Sequence, residues 1–154
     1  MLNVDKELKY LELHSPYKKY GILLASFMFF WSGMKKILMF DKKVSVLSGK
    51  VHLPNTICQI GMILVILLEI IGFMLIVEYY FQESAVYDAI SKVNKIVKLT
   101  QKQIVQVTLI LLLIFLVVVT LIYHPLDLSK PIPFLSNLTT FGLFLYVYSD
   151  LFDK

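Results

Sequence analysis

Four stretches of this chain are apolar over the roughly 20 residues needed to cross the hydrocarbon of a bilayer, and nothing else in the sequence constrains its fold as strongly. They run over about 20–40 (YGILLASFMFFWSGMKKILMF), 57–80 (ICQIGMILVILLEIIGFMLIVEYY), 104–123 (IVQVTLILLLIFLVVVTLIY) and 132–149 (IPFLSNLTTFGLFLYVYS). In a chain of 154 residues they leave no segment for a separate soluble domain. The sequence therefore predicts an all-α fold: one transmembrane domain over 1–154, built as an integral membrane four-helix bundle with amphipathic helices at the interface. The first span enters behind Ser15-Pro16, an N-cap and N1 pair, and the third stops at His124-Pro125 because proline resists helix continuation. The fourth carries Ser136, Asn137, Thr139 and Thr140, so it is expected to pack on the other helices through hydrogen bonds rather than face lipid alone.

Composition excludes several function classes. The chain is 58% hydrophobic, with a mean hydropathy of +0.74, against roughly 45–50% apolar residues in soluble domains. Cys58 is the only cysteine, which rules out internal disulfides and cysteine-rich metal sites, and three scattered histidines form no evident metal set. All 15 basic residues are lysine. Without arginine for bidentate base contacts, the net charge of +4 points to a membrane surface and phospholipids rather than nucleic acid. No nucleophile elbow, phosphate-binding loop, zinc-protease motif or dinucleotide-binding glycine pattern occurs. A non-catalytic role is expected, with no catalytic residue, cofactor ligand or metal ligand assigned. No cleavable signal peptide is expected either, since the first apolar run begins near residue 20 and is long enough to span.

Two amphipathic shoulders flank the spans. Val4, Leu8 and Leu11 recur at helical spacing ahead of the first span. Over 84–102, Val86, Ile90, Val93 and Val97 form one stripe, and Lys92, Lys95, Lys98 and Lys102 form the opposite one. That helix either lies on anionic lipid or packs its apolar stripe on a partner or on the bundle ends. Lysines on the side of the termini outnumber those on the other, which by the positive-inside rule turns the termini toward the cytoplasm or matrix.

Glu69 stands almost at the centre of the second span, where an ionisable group is costly and faces a bundle interior, a cavity or a partner. Two readings are open. Lys36 enters from the same side, and its long stem can reach inward to form a buried ion pair. Alternatively Glu69 hydrogen-bonds polar groups such as Ser26, Ser32 or Asn137 and fixes packing. Gly21 with Ala25, Gly33, Gly61 and Gly72 are candidates for close helix contact. His52 and His124 share one membrane face, but neither lies within a span, so a bis-histidine haem is not expected. Tyr79, Tyr80, Tyr123 and Tyr148 fit interfacial anchoring, and the same aromatic habit weakens any pocket drawn around Phe29, Trp31 and Tyr146.

Over about residues 17–150 the order of these features resembles the DoxX family of small four-helix membrane proteins. The matching elements are Gly33-x-x-Lys36 in the second half of span one, Leu68-Glu69-x-x-Gly72 in the middle of span two and His124-Pro125 after span three. The chain departs from the family pattern where Lys18 and Lys19 replace an arginine ahead of the first helix, and where span two ends in Val77-Glu78-Tyr79-Tyr80. The resemblance implies an accessory or assembly subunit of a larger membrane complex, linked to quinol oxidation and the respiratory chain, with other membrane subunits as partners. It also allows a quinone bound between the helices as cofactor, or a cargo or chaperone-like adaptor. On this reading Glu69 and Lys36 tie the bundle together, and Gly33 and Gly72 are its close-contact points. The membrane implied is the mitochondrial inner or bacterial plasma membrane, with the endoplasmic reticulum as the other choice.

Overall fold

The computed structural model describes residues 16–81, 99–124 and 131–152. The expected surface helix on Val4, Leu8 and Leu11, most of the 84–102 amphipathic helix with Lys92, Lys95 and Lys98, and Pro125 lie outside the described residues. Among the described residues the chain is all-helical, in the order α1 (Pro16–Leu38), α2 (Phe40–Val51), α3 (Asn55–Phe81), α4 (Gln101–Tyr123) and α5 (Ile132–Phe152).

Three of these helices, α1 over Lys19–Leu38, α3 and α4, are long and apolar enough to cross a membrane. Their outward faces are hydrocarbon: Leu24, Leu64 and Leu121 are 74%, 62% and 70% exposed. Apolar surface on that scale is stable only against lipid or protein, which defines a multi-pass membrane protein. The buried residues of α3 are Cys58, Met62, Ile66, Glu69, Gly72, Ile76, Glu78 and Tyr80; all but Glu78 form a stripe at three- and four-residue steps with Glu69 at its middle. Tyr80 is therefore part of the core and not an interfacial anchor. In α4 the matching stripe is Val105, Thr108, Leu109, Leu112, Leu113 and Leu116.

The long helices pack in chain order, α1 on α3, α3 on α4 and α4 on α5. Phe29 of α1 stacks on Phe144 of α5, with centroids 5.1 Å apart, where the two ends of the series meet. α5 is 21 residues long but is not among the helices long and apolar enough to cross a membrane. Its buried residues, Phe144, Val147 and Leu151, all lie in its second half. Asn137 donates from Nδ2 to Thr120 Oγ1 at 3.0 Å, which is the cross-helix bond expected of that span. Thr139 and Thr140 instead donate to their own helix, at Leu135 O and Ser136 O.

Two boundaries differ from the sequence expectation. The run drawn over 20–40 breaks at Met39, and the chain continues as α2, a 12-residue helix where the sequence reading had only a connection. Its periodicity explains it: Phe40, Val44, Leu47 and Val51 fall on one face and pack on Cys58, Met62, Ile66 and Ile70 of α3. Asp41 in its first turn and Lys50 in its last complement the helix dipole. It ends at His52, whose left-handed backbone (φ 56°, ψ 35°) turns the chain toward α3. The second difference concerns Lys102, assigned to the amphipathic helix from its lysine stripe. It belongs to the first turn of α4, because Thr100 caps that helix. Gln103 N–H donates to Thr100 Oγ1 and Thr100 N–H to Gln103 Oε1, a reciprocal capping box that fixes the start at Gln101.

Candidate functional site

The polar centre of the molecule is assembled from α1 and α3. Lys36 Nζ donates to both carboxylate oxygens of Glu69, at 2.7 and 2.8 Å, and to Ser32 Oγ at 2.6 Å. These three bonds use all three ammonium donors. Phe115 of α4 closes a further side, its ring centroid 5.7 Å from Nζ. Glu69 is 1% exposed and the Lys36 side chain 17%. Of the partners considered for Glu69, Lys36 bonds it directly and Ser32 stands in the same cluster, bonded to Lys36. Ser26 donates to Ile22 O on its own helix, and Asn137 is engaged with Thr120.

Gly33 makes this pairing reachable. A Cβ built there would stand 2.9 Å from Ile70 Cγ1 and 3.4 Å from Glu69 Cβ, so the α1 backbone lies directly against α3 one turn before Lys36. Gly72 plays the same part between α3 and α4, where a Cβ would stand 3.2 Å from Thr108 Cγ2 and 3.3 Å from Leu112 Cδ1. Gly21 and Gly61, also candidates for close contact from sequence, have nothing within 4 Å of such a Cβ and do not serve that purpose.

Beside the ion pair lies a cavity of about 400 Å³, which sequence reasoning had no means of locating. Ser32, Lys36 and Glu69 form its polar wall, and Phe29, Met62, Val65 and Phe115 are among its apolar ones. Lys43 and Leu47 of α2 line it too, so the unexpected helix forms part of its enclosure. Lys50 of that helix reaches to the end of α4, donating to Ile122 O at 3.2 Å and lying 4.9 Å from the centroid of the Tyr123 ring.

His124 lines the cavity, where it caps α4, whereas His52 sits exposed at the end of α2. No group of three potential metal ligands occurs among the described residues. Of the aromatic residues weighed as a pocket, Phe29 lines the cavity, while Trp31 and Tyr146 point outward.

The arrangement is that of a multi-pass helical membrane protein with a partly polar internal chamber. Its carboxylate keeps acceptor lone pairs beyond the two occupied by Lys36, and Lys43, Tyr123 and His124 on the same lining add donor groups, so the chamber can meet a ligand with both. No protein family, curated protein or solved structure matches the chain.

Proposed function

We propose that the chain is a four-helix membrane bundle of DoxX type, with α5 as the fourth span, that holds the head group of a quinone-class ligand in the chamber beside Lys36 and Glu69. The observation that carries this reading is the cavity itself: about 400 Å³ of mainly apolar space with one buried ion pair on its wall. That volume is at the small end of ligand sites, which run from about 300 to 1,000 Å³ and pair apolar walls with a few placed polar groups. The spare acceptor lone pairs of Glu69 would take a hydroxyl of the quinol form. Glu69 is then the group positioned to take a proton from that head. Electrons leaving the quinol require an acceptor in a partner subunit.

Gly61 provides the test, because it lines the chamber and has open space around its Cβ position. Gly61→Phe fills the chamber from α3, and Val65→Phe does so one turn further on. Decyl-ubiquinol binding to protein in lipid nanodiscs is expected to be saturable and to weaken at least about tenfold in both variants, with thermal stability retained. A wild-type protein that takes up no more quinol than empty nanodiscs ends this reading.

The accessory-subunit role is supported by a separate observation. Ser136, Thr139 and Ser149 are exposed on the outer face of α5, and their environment is better supplied by a neighbouring protein than by acyl chains. The membrane would be a respiratory one, mitochondrial inner or bacterial plasma. Purification in mild detergent is expected to bring down respiratory subunits in fixed ratio. Recovery of the chain alone, or with partners in variable ratio, excludes the role, the latter in favour of an adaptor.

A further inference from the structure

The chamber at Glu69 is not isolated. A second cavity of about 210 Å³ lies between α4 and α5, lined by Leu116, Val117, Thr120, Leu121, Phe134, Asn137, Leu138 and Phe141. Leu116 and Asn137 line both cavities, so the two spaces adjoin across those residues. The second space opens outward: Val117, Leu121 and Leu138, on its two rims, are 44%, 70% and 53% exposed.

Its origin is the uneven docking of α5. No residue in 132–143 is buried, whereas Phe144, Val147 and Leu151 are. The second half of α5 therefore seats on the bundle while the first half stands off from α4. The Asn137 to Thr120 hydrogen bond spans that gap at a fixed distance of 3.0 Å, and Thr120 in turn donates to Leu116 O at 2.6 Å. Each of these polar groups is turned toward another protein group, which leaves the groove surface hydrocarbon in character. A head group finds no charged partner there, whereas an alkyl chain does not need one.

We propose that the α4/α5 groove is the tail subsite and lateral entrance of the inner chamber. It would take the prenyl or alkyl chain of a membrane ligand whose hydroxylated head lies at Lys36 and Glu69. This rests on the chamber being a ligand site, and it adds which ligands qualify: those with a tail. A head group alone would gain only the chamber contacts, and a phospholipid acyl chain in the groove would gain none of the polar ones.

The test compares two ligands across groove-filling variants. Val117→Phe and, independently, Leu138→Phe place a ring in the groove from either rim, away from the ion pair. Binding of tailless 2,3-dimethoxy-5-methyl-benzoquinol and of its decyl derivative is measured in nanodiscs for wild type and both variants. Each ligand is compared with itself, so that partition into lipid cancels. The expected result is a loss of at least about tenfold for the decyl compound with the tailless one unchanged. Equal retention of the decyl compound in both variants overturns the tail subsite while leaving the chamber standing. So does a groove variant that sheds co-purified phospholipid but keeps decyl-quinol. Binding of neither compound to wild type overturns the chamber as a quinol site and the subsite with it.

Discussion

Replacing Lys36 with methionine is expected to destabilise the protein by about 3–5 kcal/mol, the range for removing one partner of a buried ion pair. The size of the effect follows from what remains. Glu69 is 1% exposed, and without Lys36 its two oxygens lose bonds of 2.7 and 2.8 Å. Methionine preserves most of the stem volume, so the loss is electrostatic rather than a packing defect. The double variant Lys36→Met/Glu69→Leu is expected to recover to within about 1–2 kcal/mol of wild type, because removing both charges removes the desolvation cost that their attraction offsets. Chemical or thermal unfolding in detergent of the four proteins in the cycle measures the coupling. A double variant whose loss equals the sum of the two single losses would show that the two side chains do not depend on one another. Because the pair is shielded from solvent, the coupling is expected to persist at high salt, where surface pairs fade.

Length and hydropathy were enough to place the long helices. The stretches expected over 57–80 and 104–123 correspond to Asn55–Phe81 and Gln101–Tyr123. Glu69 stood out because an acid at the middle of such a run demands a partner, although the residues alone left Lys36 and several hydroxyl or amide groups open. The break at Met39 was not legible in the same way. Met39 and Phe40 are both apolar, so hydropathy runs on while the backbone at Met39 (φ −123°, ψ 34°) leaves the helix. The signal for α2 was present as Phe40, Val44, Leu47 and Val51, but a search for runs of membrane length passes over a 12-residue amphipathic helix. Lys102 was misassigned because its lysine spacing continues the stripe before it, whereas Thr100 and Gln103 mark a helix start. The two cavities had no sequence signature. A void records where side chains on different helices fail to meet, and the half-docked α5 is a property of the assembled packing.

Gly33→Leu is expected to cost at least about 3 kcal/mol, the upper part of the range for overpacking, and to separate Lys36 from Glu69 as well. The first atom alone is already in conflict. A Cβ at Gly33 falls 2.9 Å from Ile70 Cγ1, a branch-stem atom that cannot swing aside as a terminal methyl can, and 3.5 Å from Glu69 Oε2. Relief therefore requires α1 to move off α3, and Lys36 lies on the next turn of the helix that moves. The other glycines supply graded controls. At Gly72 a Cβ meets Thr108 Cγ2 at 3.2 Å and Leu112 Cδ1 at 3.3 Å, both ends of side chains, so Gly72→Ala is expected to cost less than Gly33→Ala. At Gly21, where nothing lies within 4 Å, leucine is expected to change stability by no more than about 0.5 kcal/mol. Unfolding midpoints in one detergent rank the set, and the quinol binding assay reports whether the chamber survives each change. A Gly33→Leu protein with wild-type stability would mean that α1 and α3 are not held at this distance. The ion pair and the chamber beside it would then lose their geometric basis together.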